Sequence, residues 1–486
     1  MRSINILLAT FLLASFVFSQ NEENSGPYKL PKYFGQAHDT YISDDAIILN
    51  YSPYVPVTNL SLIKYGLYRY SPLKSSGELI EKRIPTNEGI IRECYYSGDT
   101  ITEFVVYYKK GFPKYQYSYA IRRRSCKTME VLGEKKLTEY QYHDIEDHEY
   151  AHLLYNGNEF AFVEMTKTTG TITFLANDFE EINKVQLTEQ VLSAIETKLL
   201  YLPKLNMDGS ILLVFPTWST HSLIPLTEVK NTVLHVTSEN EIHSFTTHFT
   251  DSDIYQISNF SGNYEFDSKK EEIIWSYATA SNTNVQQSGF GFARWDLQGN
   301  LLSNTHTVLD FETIFENEPE IQDWFKSSKT SPEEVWARSG RFGYFSYLKS
   351  EDGTIYSTIT ALNKFNPELG SGSYVIKTDG SGNILWIKPF FTALKTPHFY
   401  SGIPYLKDGK IHVLVGDRDV TKNAGITFSD ISLDPKDGSE KNNNELNVVL
   451  EADEQLNFIF TNKKRDKISL EIRKGKTVSY KTINLK

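Results

Sequence analysis

The sequence predicts an all-β fold: a β-propeller of about seven or eight four-stranded blades, with six as the lower bound, carrying one helical insertion. Three observations predict it. Turn signals of the Asp-Gly or Asn-Gly kind recur along most of the 486 residues. Short, almost wholly apolar runs follow those turns. A second hairpin falls between successive starts, so one period of roughly 45 to 60 residues holds four strands, the size of one blade. The 30 Tyr and 29 Phe suit such a fold, because stiff rings pack well on a pleated surface.

Taken in order, residues 1–19 read as a signal peptide. Arg2 supplies a positive start, 4–18 is apolar, and Val17 and Ser19 satisfy the small-residue rule, which places cleavage before Gln20. That run is too short and too early for a spanning helix, and no other run would span a bilayer as a helix. The mature chain is expected to be exported, periplasmic or extracellular. Residues 20–40 read as an N-terminal leader and 41–486 as a single propeller domain.

The first apolar run, Ala46-Ile47-Ile48-Leu49, follows Ser43-Asp44-Asp45. The run 101–108 follows Ser97-Gly98-Asp99, 159–165 follows Asn156-Gly157-Asn158, and 211–215 follows Asp208-Gly209-Ser210. Then 273–277 follows Asp267-Ser268-Lys269-Lys270, and 355–359 follows Asp352-Gly353-Thr354. Last come 411–415 after Asp408-Gly409-Lys410 and 456–460 after Ala452-Asp453-Glu454. Gly, Asn and Asp supply the positive φ of tight hairpins. A run without polar alternation is covered on both faces, which places it in the middle of a blade. The clearest second hairpin is Tyr374-Val375-Ile376-Lys377, a turn through Asp379-Gly380-Ser381-Gly382-Asn383, and the return Ile384-Leu385-Trp386-Ile387-Lys388.

The interval between Asp267 and Asp352 is too long for one blade. Within it, 310–336 reads as a helical insertion: Phe311, Ile314, Phe315, Ile321, Trp324 and Phe325 fall near helical spacing, and Pro319 and Pro332 divide it. A second short helix is expected over 189–198.

The net charge of −11 gives no basic nucleic-acid footprint. The one basic cluster, Arg122-Arg123-Arg124, reads as a solvated turn or edge strand. Cys94 and Cys126 are the only cysteines. Export and an even cysteine count predict that they lie on neighbouring strands within disulfide reach and form a disulfide, the alternative being two separate buried thiols.

The sharpest local pattern is His148-Glu149-Tyr150-Ala151-His152. On a helix this spacing binds zinc with two imidazoles and offers Glu149 as base. Its surroundings read instead as entry into a strand. In a strand, residues four apart are separated by roughly 13 Å, too far for one ion, so no metal is expected. His143, His148, Glu149 and His152 still crowd one strand entry, and are the candidate binding residues. The stretch Asp147-His148-Glu149 leading to Leu154 and Asn156-Gly157-Asn158 resembles a blade entry of arylsulfotransferase-like propellers. That resemblance implies a cavity-lining histidine at His148 able to take up a sulfuryl group. His398, ahead of Leu406 and Asp408-Gly409, is a looser match. The chain as a whole resembles exported bacterial β-propeller proteins.

No Gly-x-Ser-x-Gly elbow and no phosphate-binding glycine loop is present. Asp417-Arg418-Asp419 and Asp251-Ser252-Asp253 lack the grammar of a calcium loop. The function expected is a non-enzymatic binding or interaction scaffold for a protein, peptide or glycan, without a cofactor. The alternative is a propeller enzyme, arylsulfotransferase-like or a hydrolase, with its catalytic histidine at His148 or His398.

Overall fold

A computed structural model of the chain describes strands between 22 and 84, and then chiefly residues 89–143, 150–193, 201–216, 228–250, 257–279, 289–316, 345–362, 371–392, 403–419, 425–461 and 467–484. These form a β-propeller of eight sheets, seven of four strands and one of five.

The first blade is Gln36–Ile42, Ile47–Ser52, Tyr65–Tyr70 and Ile80–Ile84. The second is Ile90–Ser97, Thr100–Lys110, Tyr115–Ser125 and Val131–Lys136, with Gln141–His143 pairing the far end of the third strand. The third is Tyr150–Tyr155, Phe160–Met165, Gly170–Leu175 and Glu181–Gln186. The fourth is Tyr201–Leu205, Ile211–Pro216, Glu228–Val236 and Ile242–Thr250. The fifth is Ile257–Asp267, Glu272–Thr279, Gly289–Asp296 and Leu301–Val308. The sixth is Phe345–Lys349, Ile355–Leu362, Ser371–Thr378 and Ile384–Thr392. The seventh is Ile403–Lys407, Lys410–Asp419, Gly425–Leu433 and Glu440–Val449.

The eighth blade is shared by the two ends of the chain. Gln455–Thr461, Lys467–Lys474 and Thr477–Asn484 are completed by Glu22–Lys29, with Ser25 facing Tyr480. The segment expected as a leader therefore supplies two strands, this one and the first strand of the first blade. Pairing the chain ends in one sheet covers an otherwise open strand edge.

Seven of the eight apolar runs are the second strand of a blade, covered on both sides by sheet neighbours. The eighth, 456–460, lies instead in the first strand of its blade. The core lies between blades as well as within them: Phe104 and Ile121 of the second blade pack with Leu153 and Phe162 of the third, and Val233 of the fourth with Trp275 and Trp295 of the fifth. Of the helical insertion, the described part includes the helix Phe311–Phe315, capped by Asp310, and Gln322, which donates to the Glu318 and Phe315 carbonyls. Phe311 and Phe315 are buried and meet the Tyr374 ring edge-on at 6.3 and 6.1 Å, which seats the helix on the sixth blade. The piece expected over 189–198 is a helix at Glu189–Ser193.

Two expectations are corrected. Arg122 and Arg124 are not solvated; both are buried. Side chains alternate along a strand, and Arg122 and Arg124 share the face on which Glu103 stands opposite Arg122. Glu103 accepts from Arg122 Nε at 2.5 Å and Arg124 Nε at 2.8 Å, and Arg124 also donates to the Met129 carbonyl at 2.6 Å. Burial acts against the Arg122 charge, but Glu103 outweighs it and holds the guanidinium's pKa above its usual value. Cys94 is in the strand Ile90–Ser97 and Cys126 in the turn after Tyr115–Ser125; Thr100–Lys110 runs between those two strands, so the cysteines are not on neighbouring strands. Both enter one apolar cluster with Ile91, Ile101 and Met129, and are thiols in the structure.

Candidate functional site

The tight turns between the third and fourth strands of the second to seventh blades position the polar groups of the blade seams. Asp296-Leu297-Gln298-Gly299-Asn300 and Asp379-Gly380-Ser381-Gly382-Asn383 are built alike. Each Asp accepts from two backbone N–H groups and from the Asn side chain, at 2.8 to 3.0 Å. These hydrogen bonds hold both carboxyls below the usual carboxylate range; for Asp379 they outweigh its slight burial. The glycine has φ +84° in the first turn and +93° in the second. Each also lies against an aromatic side chain of the preceding blade, Phe245 for Gly299 and Phe292 for Gly382.

The same turns are gripped from the blade before. Two residues ahead of the turn-opening residue, the second, fifth and sixth blades carry Arg123, Arg294 and Lys377. Arg123 donates to the Asn177 carbonyl, Arg294 to that of Gly380 at 3.1 Å, and Lys377 to that of Pro435 at 2.5 Å. In every case the acceptor follows the turn-opening residue of the next blade. The third blade has Phe174 at this place, and Asn183 from its fourth strand reaches the Ser238 carbonyl instead. A long cationic side chain or an amide thus clips each of these seams.

The fourth blade breaks the pattern. Its turn opens at Thr237, so the repeat position falls on His235, and the matching carbonyl of the next blade is that of Leu297. His235 is 3% exposed, and neither ring nitrogen has a hydrogen-bond partner. It stands opposite His243 across the hairpin and against Phe266, with ring centroids 5.9 and 4.1 Å away. Both histidines and Leu297 line a cleft of about 160 Å³ between the fourth and fifth blades, together with Asp208, Glu239, Glu241 and Glu271. Among the described residues no lysine or arginine lines it. Burial, helped by His243, pushes the His235 pKa down to about 4, so the ring is neutral at pH 7. A neutral imidazole offers one N–H donor and one acceptor.

The residues picked out from the sequence are distributed differently. His148, Glu149 and His398 lie outside the described residues. His143 ends the strand Gln141–His143, where it pairs with Tyr115. His152 is in the strand Tyr150–Tyr155, opposite Val163, so a helical zinc arrangement ending at His152 does not form. Its Nδ1 lies 2.9 Å from Glu93, which also accepts from the Leu153 N–H at 3.0 Å. His152 therefore belongs to a clip between the second and third blades. Asp417 and Asp419 lie in the strand Lys410–Asp419. Among the described residues no three His, Cys, Asp or Glu side chains come together as a metal site.

A second polar cluster lies within the seventh blade. Buried Asp430 accepts from Tyr405 Oη at 2.5 Å, Lys407 Nζ at 2.7 Å and His412 Nδ1 at 2.9 Å. Burial alone would raise the Asp430 pKa; the three hydrogen bonds prevail and hold it below the usual carboxylate range. A depressed folded-state pKa contributes stability above the unfolded value of about 3.9, and that contribution is lost as pH falls through the folded value. Thermal unfolding between pH 7 and pH 3 is therefore expected to show Asp430→Asn well below wild type at pH 7, with the gap narrowing in acid. A gap that widens in acid would refute this role.

His235 escaped the sequence analysis because one buried histidine among strand residues carries no signal. The retrievable signal was relational: two histidines flank the turn at Thr237 and Glu241, at a hairpin spacing that sets them opposite each other.

No protein-family model matches the sequence, and no curated protein matches it. Among solved structures, the chain is similar to the β-propeller domain of the trilobed protease from Pyrococcus furiosus. Identity is 9%, TM-score 0.36, and the match covers 82% of this chain and 95% of that one. It is similar at the same identity and TM-score to an acylaminoacyl peptidase from Pyrococcus horikoshii, covering 79% of this chain and about half (49%) of that longer one. A structure described as the eukaryotic initiation factor matches at 8% identity and TM-score 0.35, over 88% of this chain and 92% of that one. Such identities carry no information on activity or partners.

Proposed function

We propose that this chain is an exported propeller, periplasmic or extracellular, that acts as a non-enzymatic scaffold binding a protein, peptide or glycan. The observation that supports this reading is the cleft at the seam of the fourth and fifth blades: a shaped polar recess without an activated nucleophile. Covalent catalysis needs a nucleophile hydrogen-bonded to its base. Ser210, in the cleft wall, is bonded to no imidazole, since neither His235 nitrogen has a hydrogen-bond partner. It donates to Asp208 at 2.7 Å and accepts from Asn206 at 3.0 Å, and a carboxylate is far less basic than imidazole. His235, held at about 4, is a weak base at neutral pH, far from the range in which general bases work best. A recess of this kind is suited to hold a group in place. Export rests on the pattern of residues 1–19.

Two measurements test the proposal. Peptide and glycan arrays followed by calorimetry are expected to return saturable binding, with the ligand recovered intact. Turnover of a sulfate ester or peptide that disappears in His148→Ala or His398→Ala would overturn it. N-terminal sequencing from native cells is expected to begin at Gln20 in a non-cytoplasmic fraction; a cytoplasmic chain retaining residues 1–19 would contradict export.

A further inference from the structure

We infer that the cleft between the fourth and fifth blades is a receptor for a guanidinium group, namely an arginine side chain of a bound peptide or protein. This rests on the binding-scaffold reading and gives the ligand a chemistry.

The argument begins with the repeat. At three other seams the position of His235 is held by Arg123, Arg294 or Lys377, and that cation donates to the carbonyl after the next turn-opening residue. Two of these cations also lie over an aromatic ring: Arg123 is 4.5 Å from the Phe179 centroid and Lys377 5.7 Å from that of Tyr356. At the fourth blade Leu297, whose carbonyl is at the matching place in the repeat, and the ring of Phe266, supplied from a different strand position, both border the cleft, but imidazole replaces the cation. A cationic group entering from outside would meet the surroundings that the protein's own cations occupy elsewhere.

The electrostatics point the same way. Asp208, Glu239, Glu241 and Glu271 approach from three turns on two blades. The charged groups facing His235 are thus carboxylates, with His243 beside it. Because His235 is neutral, it does not repel a cation and can accept a hydrogen bond from one. A buried polar group without a partner is unfavourable, and a ligand donor would relieve this.

Guanidinium fits better than ammonium. It is planar, spreads five donors around its edge, and stacks on rings, whereas ammonium is a compact, strongly hydrated point charge. The cleft, about 160 Å³, exceeds the ≈30 Å³ share of one water several-fold, so it has room for the group and part of its stem. A metal ion would need at least three converging ligands, and none converge among the described residues.

The test is calorimetry on the full mature chain with four probes: N-acetyl-argininamide, methylguanidinium, N-acetyl-lysinamide and N-acetyl-citrullinamide. N-acetyl-argininamide is expected to bind at one site, with the lysine probe about tenfold weaker and the neutral citrulline probe showing no binding. A preference for N-acetyl-argininamide over methylguanidinium marks a side chain on a backbone as the ligand; the reverse order marks a free guanidinium compound and overturns the peptide assignment. Glu239→Gln/Glu241→Gln, which changes exposed carboxylates and so leaves the fold intact, is expected to weaken binding about tenfold. His235→Phe keeps the ring and removes both nitrogens, and is expected to weaken it as well. Unchanged affinity in the carboxylate double variant would overturn the inference. So would equal binding of the citrulline probe, or stoichiometric zinc binding that is lost in His235→Phe. If no arginine probe binds while an array ligand still does, this inference fails and the scaffold reading stands.

Discussion

Replacing Glu103 with alanine is expected to destabilise the propeller by roughly 3–5 kcal/mol, the usual penalty for breaking a buried ion pair from one side. Glu103 and Arg124 are each 0% exposed, and Arg122 is nearly so. One carboxylate serves both guanidiniums. Its removal leaves two buried cations, with Glu134 only 3.8 Å from Arg122 as partial relief. The pair lies between the second and third strands of the second blade, so damage there loosens that sheet first. Chemical denaturation of wild type and Glu103→Ala measures the effect. A loss below about 1 kcal/mol, the range of a solvent-exposed pair, would show that the network is hydrated and the burial argument wrong. Replacing Glu103, Arg122 and Arg124 together with apolar residues of similar volume is expected to restore much of the loss, because no unpaired charge remains.

Gly382→Ala is expected to have the second largest effect, about 2–5 kcal/mol. Two penalties coincide there. The backbone is at φ +93°, which an L side chain adopts only with strain. A Cβ at that position would also lie 2.4 Å from Cδ1 of Phe292, a core residue of the fifth blade. The control lies in the same turn. Gly380 has no such φ, and its nearest neighbour to an added Cβ is Lys270 Nζ at 3.8 Å. Gly380→Ala is expected to stay within about 0.5 kcal/mol of wild type. Thermal unfolding of the two variants side by side decides the matter. Equal losses would mean that the turn glycines serve the hairpin alone and not the seam between blades.

That contrast explains why the fold was legible. A glycine needed both for positive φ and for close approach recurs at every seam that uses it, so the rhythm survives in the sequence. The N-terminal strand was not legible. Its residues Glu22–Lys29 include Gly26 and Pro27, poor strand formers, and the pairing register shifts between Ser25 and Tyr28. Its partner strand is at the other end of the chain. Arg122 and Arg124 were misread for a related reason, since the carboxylate that buries them lies about twenty residues earlier, on the neighbouring strand. The site was less legible still. The cluster around His152 was visible as composition, yet its partner Glu93 is supplied by another blade. His235 gains meaning only when its place in the repeat is compared with those of Arg123, Arg294 and Lys377.

The central claim is that this propeller binds a ligand at the seam between its fourth and fifth blades rather than transforming one at His148 or His398. The 11 histidines provide probes for both sites. Side-chain NMR of the mature protein, assigned by single substitution and titrated with the tightest array ligand, tests it most directly. The account predicts that the ring signals of His235 and His243 shift saturably, while those of His148 and His398 stay in place. Saturable shifts at His148 and His398, with His235 and His243 unmoved, would contradict it.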